Sequence, residues 1–198
     1  MMQNLILAST NPGKIADYRS LLSDYPVHLI AQSELAVPEV EETGLTFVEN
    51  ALIKARHAAE LCNQPALGDD SGLVVDALQG GPGLYSARFA GPKATALDNI
   101  QKLLQELDKI PNAPRTARFY AVIVLLRYPQ DPVPIICEGT WEGEILKEPT
   151  GEHGFGYLPV FYSYANQKPA ALLTQEERVL VNHRGKAFRQ LIEKYLQK

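Results

Sequence analysis

Asp69-Asp70-Ser71-Gly72 sets two adjacent carboxylates between apolar segments, Ala66 to Gly68 and Leu73 to Ala77. Paired carboxylates at strand ends are unfavourable unless a positive charge stands among them. Magnesium suits such a place, because it takes one or two carboxylates and leaves its other positions to water and substrate phosphate. A turn with an Asx cap is the alternative reading of the same four residues.

A second constellation, Ser9-Thr10-Asn11-Pro12-Gly13-Lys14, joins the end of an apolar run to the start of a helical pattern. Backbone N–H groups at a helix start favour phosphate, and Lys14 adds a full charge; a plain N-cap is the alternative. The spacing is not that of a Walker A loop. Glu41-Glu42 precedes the helical pattern that carries Lys54, where acidic residues either complement the helix dipole or join a metal site. Gly154-Phe155-Gly156-Tyr157 brings backbone and an aromatic face together, as contact with a base requires, although Phe155 by default is a core residue. Asn182-His183-Arg184-Gly185-Lys186 puts cations near a helix start, against the dipole. A bound anion or base would offset that, and a solvated polar face is the simpler alternative.

The elements that must position these groups read as α/β. Gln3 to Ser9 and Val27 to Ala31 read as strands, separated by a helical pattern through Ile15, Tyr18, Leu21 and Leu22. Gln32 to Leu45 reads as an acidic loop. Thr46 and Glu49 form a capping box that opens a helix from Phe47 to Leu61, with Phe47, Ala51, Ala55 and Ala58 on the packing face and Asn50, Lys54 and His57 on another. The segment Gln79 to Gly83 has too much glycine and proline for regular structure, and Gly80 to Gly91 reads as a shaped loop. Thr95 to Leu107 is amphipathic through Ile100, Leu103, Leu104 and Leu107. Arg118 to Arg127 and Pro134 to Ile145 read as two long strands, and Gly185 to Gln197 as a final helix.

The 198 residues, 45% hydrophobic and 21% charged, suffice for one core or two packed lobes, and one unit with no linker over 1–198 is expected. No apolar run reaches the roughly 18 residues of a membrane span, and the start of the chain does not resemble a secretory signal. A cytoplasmic protein is therefore expected. The net charge of −4 gives no basic stripe for nucleic acid. Cys62 and Cys137 lack metal-site spacing and read as reduced core residues.

Taken together, these motifs resemble the inosine and xanthosine triphosphate pyrophosphatases, over nearly the whole chain from Leu7 to Phe188. Glu41-Glu42-Thr43-Gly44-Leu45-Thr46-Phe47-Val48-Glu49-Asn50-Ala51 and Pro82-Gly83-Leu84-Tyr85-Ser86-Ala87-Arg88-Phe89-Ala90-Gly91 join the stretches above in carrying the likeness. The resemblance implies an elongated α/β fold with a mixed β-sheet, two lobes about a nucleotide cleft, and a homodimer. It implies a magnesium-dependent hydrolysis of ITP, dITP or XTP to monophosphate and pyrophosphate. By the same likeness Asp70 is proton acceptor and metal ligand, with Glu41 and its neighbourhood assisting the metal. Ser9, Thr10, Asn11, Pro12, Gly13, Lys14, Lys54 and Ser71 would contact the triphosphate; Phe155, Gly156, Tyr157, His183 and Arg184 would surround the base.

The chain departs from the family pattern at Leu158, where an aspartate is usual before Pro159, and at Arg178, where a lysine is usual; both belong to the expected substrate-binding set. Asn182 also replaces a usual serine. Leu158 is expected to weaken the preference for 6-oxopurines and to leave hydrolysis itself intact. A pyrophosphatase for another modified nucleotide and a non-catalytic nucleotide sensor are the alternatives.

Overall fold

The computed structural model describes residues 3–151 and 155–196. The first apolar run forms β1, Gln3–Ala8. Helix α1, Pro12–Leu21, starts with proline in its first turn, where a missing N–H leaves no helical bond unmade. β2, Val27–Ala31, lies parallel to β1 with Leu5 opposite Leu29, and α1 is the crossover that parallel pairing requires. α2, Phe47–Cys62, then leads into β3, Ala66–Val75, which pairs parallel with β1 and sets Leu7 opposite Leu67.

The remaining elements are α3 (Ala96–Asp108), β4 (Thr116–Leu126), β5 (Ile135–Ile145), β6 (Phe161–Ser163), β7 (Lys168–Pro169), α4 (Gln175–Val181) and α5 (His183–Leu191). Among the described residues the strands are ordered β2-β1-β3-β4-β5-β6-β7, and β5-β6 and β6-β7 pair antiparallel. The sheet is therefore mixed, as expected.

The chain divides into two compact units, one of Met1–Asp70, Ala121–Gly139 and Arg184–Lys198, the other of Ser71–Tyr120 and Thr140–His183. In the first, Leu5, Leu7 and Leu67 pack with Tyr18 of α1, Ile123 and Leu125 of β4, and Phe188 of α5. In the second, Leu73 and Val75 pack with Ile100, Leu103 and Leu107 of α3 and with Trp141, Leu158 and Phe161.

Four sequence expectations change. The aspartate pair does not interrupt two elements: β3 runs unbroken through Asp69 and Asp70, which removes the turn reading. Asn50 does not share the open face of α2; it is buried, and its Oδ1 accepts the Gly44 N–H, so a polar side chain can turn inward there. The Glu49 carboxylate returns its backbone bond to the Leu45 N–H and also accepts from the Thr46 hydroxyl. Finally, α5 opens at His183, two residues early, and passes at Ile192–Leu196 into a π turn; Gln197 lies outside the described residues. Cys137 is a core residue as expected, whereas Cys62, at the end of α2, is only half-buried.

Candidate active site

Strand alternation divides the aspartate pair. Successive side chains of β3 point to opposite faces, so Gly68 and Asp70 share one face while Leu67 and Asp69 share the other. The Gly68 face meets α2 at a distance only glycine allows: a Cβ there would stand 2.0 Å from the Ala51 carbonyl oxygen. This close approach brings Lys54, one turn beyond Ala51, to Asp70.

Lys54 Nζ donates to Asp70 Oδ1 at 2.8 Å and to Glu42 Oε1 at 3.1 Å. Burial alone would lower the Lys54 pKa, but Asp70 and Glu42 outweigh it and raise the value, so the ammonium keeps its proton. For Asp70 burial is the stronger influence and moves the carboxyl upward despite Lys54. The two shifts oppose each other, and the 2.8 Å contact decides for the ion pair with both groups charged near neutrality. Asp70 Oδ2 is buried and has no hydrogen-bond partner among the described residues.

On the opposite face Asp69 is enclosed by cations. Lys14 Nζ lies 2.6 Å from Oδ1 and donates to the Asp69 carbonyl at 3.0 Å. Oδ2 accepts from Arg184 Nε and from the Tyr18 hydroxyl, each at 2.8 Å, and Arg184 Nη1 donates to Asp17 Oδ2 at 2.7 Å. Burial would raise the Asp69 carboxyl; Lys14 and Arg184 overcome it and hold the group well below the usual carboxylate range. Burial is also the main reason that Lys14 is lowered, with Asp69 opposing and Lys54 and Arg184 adding to the fall. Burial beside Asp69 pushes the Tyr18 hydroxyl far up, so it remains a donor.

In the expected phosphate loop two backbone N–H groups are already engaged. Asn11 Oδ1 accepts the N–H groups of Gly13 and Lys14 at 2.9 and 3.1 Å, so those two donors serve the helix cap. Ser9 Oγ accepts the Asn11 N–H, and the Thr10 hydroxyl donates to Glu39. Pro12 is exposed and Gly13 half-buried at the head of α1. Glu41 is exposed and without a hydrogen bond or ion pair among the described residues, whereas its neighbour Glu42 reaches Lys54.

A bound metal would find one candidate donor at Asp70. Among the described residues there is no group of three or more His, Cys, Asp and Glu side chains that could hold a metal ion. Magnesium asks for one or two carboxylates, and Asp70 Oδ2, buried and without a hydrogen-bond partner among the described residues, is the oxygen that would be offered to it.

Of the residues expected at the base, all but Arg184 belong to the second unit. Arg184, though, belongs with the acidic cluster: Asp17 and Asp69 are the anions that offset a cation in the first turn of α5. In the second unit Phe155 is 51% exposed, not a core residue, and the Arg178 guanidinium stands 5.8 Å from its ring centroid. Tyr157 is buried, with its hydroxyl donating to the Ser86 carbonyl at 2.8 Å, and Leu158 beside it is 4% exposed within the apolar cluster. His183 stacks on Phe119, with centroids 5.2 Å apart. Gly156 adopts a left-handed φ of 60°, Ser71 is half-buried on β3, and Gly154 lies outside the described residues.

Asp17 and Tyr18 were not among the expected site residues. Their signal was present: Lys14, Asp17 and Tyr18 stand at i, i+3 and i+4 on α1 and so share one helical face.

A family model described as the Ham1 family matches residues 5–194. The chain is 50% identical over 192 residues to the dITP/XTP pyrophosphatase of Escherichia coli (strain K12), covering 97% of this chain and 98% of that protein. The Shigella flexneri dITP/XTP pyrophosphatase matches with the same identity and coverage. Among solved structures, a HAM1 protein from Coxiella burnetii is 47% identical and superposes with a TM-score of 0.93 over 100% of both chains. A nucleoside-triphosphatase described as a dITP/XTP pyrophosphatase from Mycobacterium abscessus is 39% identical, with a TM-score of 0.76 over 96% of this chain and 98% of that one.

Proposed function

The chain belongs to the Ham1 family, and from that footing we propose that it hydrolyses dITP, ITP and XTP to the monophosphate and pyrophosphate. The observation that carries the reading is the state of Asp70: one carboxylate oxygen fixed by Lys54, the other buried and without a hydrogen-bond partner among the described residues.

In the proposed reaction Asp70 orients a water molecule and accepts its proton as the water oxygen bonds to the α-phosphorus. The bond from that phosphorus to the bridging oxygen breaks, and the electron pair leaves with pyrophosphate. Lys54 keeps the Asp70 carboxylate turned and ionised, and its ammonium together with that of Lys14 offsets charge on the departing group. Asp70 and a carboxylate of the Glu41-Glu42 pair would hold magnesium. When bound, that ion would neutralise phosphate oxygens and lower the barrier to attack on an anion. No covalent intermediate with the protein is needed.

The test is a substrate panel of dITP, ITP, XTP, GTP and ATP with and without magnesium, with monophosphate and pyrophosphate both quantified. Equal amounts of the two products from the first three substrates, only with the metal, are expected. Release of single orthophosphates, or no hydrolysis of any of the five, would overturn the reading. We propose further a homodimer, on the family likeness, to be read by light scattering, and a cytoplasmic location, to be read by fractionation. Among the described residues no helix is long and apolar enough to cross a membrane.

A further inference from the structure

We propose that Tyr18 is a positioning residue for Lys14, acting through Asp69; the inference rests on the reading that Lys14 meets the triphosphate. Tyr18 is fully buried, four residues after Lys14 on α1, with its ring edge set against Phe188 at a centroid distance of 6.0 Å. The core thus fixes where the hydroxyl points. It donates at 2.8 Å to Asp69 Oδ2, the same oxygen that accepts from Arg184 Nε.

Two donors on one oxygen leave the other for Lys14. Asp69 Oδ1 faces Lys14 Nζ at 2.6 Å, and the Asp69 carbonyl holds the same ammonium at 3.0 Å. A guanidinium pairs best with both oxygens of a carboxylate at once. The Tyr18 hydroxyl occupies the space beside Oδ2 and, with Asp17 holding Arg184 Nη1 at 2.7 Å, keeps Arg184 from turning onto Oδ1. Remove that hydroxyl and Arg184 competes with Lys14 for Oδ1, so the ammonium loses its fixed place. Charge at a phosphate site acts through position, and a displacement of about 1 Å is enough to weaken it.

Tyr18→Phe keeps the ring and deletes only the donor. With purified full-length protein and magnesium, its KM for dITP and the inhibition constant of added inorganic pyrophosphate are expected to rise about three- to tenfold over the parent. Both constants are read on the folded fraction, so a loss of stability alone does not move them. Asp17→Asn, which loosens the far end of Arg184, is expected to shift them in the same direction and carries the test if Tyr18→Phe does not fold. Pyrophosphate inhibition unchanged in the folded variants would overturn the inference. A parent protein that releases no pyrophosphate from dITP would instead overturn the reading beneath it.

Discussion

Lys54 holds one oxygen of Asp70 at 2.8 Å and leaves the other buried without a hydrogen-bond partner among the described residues. An unpaired carboxylate oxygen in a protein interior is unfavourable, and the arrangement is explained if water or a cation is its working partner. Asp70→Asn keeps the shape and removes the charge. Turnover of dITP is expected to fall on the order of 10²–10⁴, the usual weight of a positioned base. Magnesium added without substrate is expected to raise the melting temperature of the parent and not that of the variant. Near-parental turnover at saturating magnesium would take Asp70 out of the role.

Gly68 is the next point of dependence. Its Cβ would meet the Ala51 carbonyl oxygen at 2.0 Å and the Ala55 nitrogen at 2.9 Å, both backbone atoms that cannot turn aside. Gly68→Ala must therefore push α2 off β3, at a cost of about 1–3 kcal/mol, and carry Lys54 away from Asp70. A lower melting temperature together with at least a tenfold loss of kcat/KM is expected. Loss of stability with kcat/KM intact would show that Lys54 does not need this packing.

Acid stability should report a different carboxylate. Asp131 sits in the turn between β4 and β5, accepting from the Arg127 N–H and Nε at 3.1 and 2.7 Å, from Arg127 Nη2 at 2.8 Å, and from the Val133 N–H at 3.0 Å. Its bonds to Arg127 hold the carboxyl well below its ordinary range. A carboxyl depressed in the folded state adds stability at pH above its unfolded value of about 3.9, and that contribution fades as pH falls further. Asp131→Asn is therefore expected to melt below the parent by a constant margin from pH 7 down to about pH 4.5, and the margin should shrink toward pH 2. A pH-independent margin throughout would refute the assignment.

What the sequence made legible was local. Helix α2 with its cap, the amphipathic α3 and the two long strands follow from periodicity, and each of them appears. The aspartate pair was visible as a chemical site but not as the interior of a strand, because charge inside a buried strand is tolerable only with partners. Those partners, Tyr18 and Arg184, lie 51 and 115 residues away from Asp69, beyond the reach of any local pattern. Helix α4 has only seven residues, and its one sequence signal, the Thr174 and Glu177 capping box, is too short a pattern to set a helix apart. Phe155 reads as core by residue type, yet it is exposed, which its hydrophobicity does not encode.

Leu158 joins sequence departure to packing. It stands where the resemblance leads one to expect an aspartate, yet it is 4% exposed in an apolar cluster that includes Tyr157, Val160 and Phe161. Leu158→Asp places a carboxylate among side chains that offer it little hydrogen bonding, a change expected to cost about 1–3 kcal/mol. For a chain of this length that lowers the melting temperature by roughly 2–10 °C. The same variant tests selectivity, because a carboxylate that does find a polar partner, directly or through the surrounding network, should favour the 6-oxopurines. Catalytic efficiencies on ITP, XTP, GTP and ATP are therefore to be compared as ratios, which do not depend on how much enzyme is folded. A shift of those ratios toward ITP and XTP is expected. Ratios identical to those of the parent would mean that Leu158 serves the core alone.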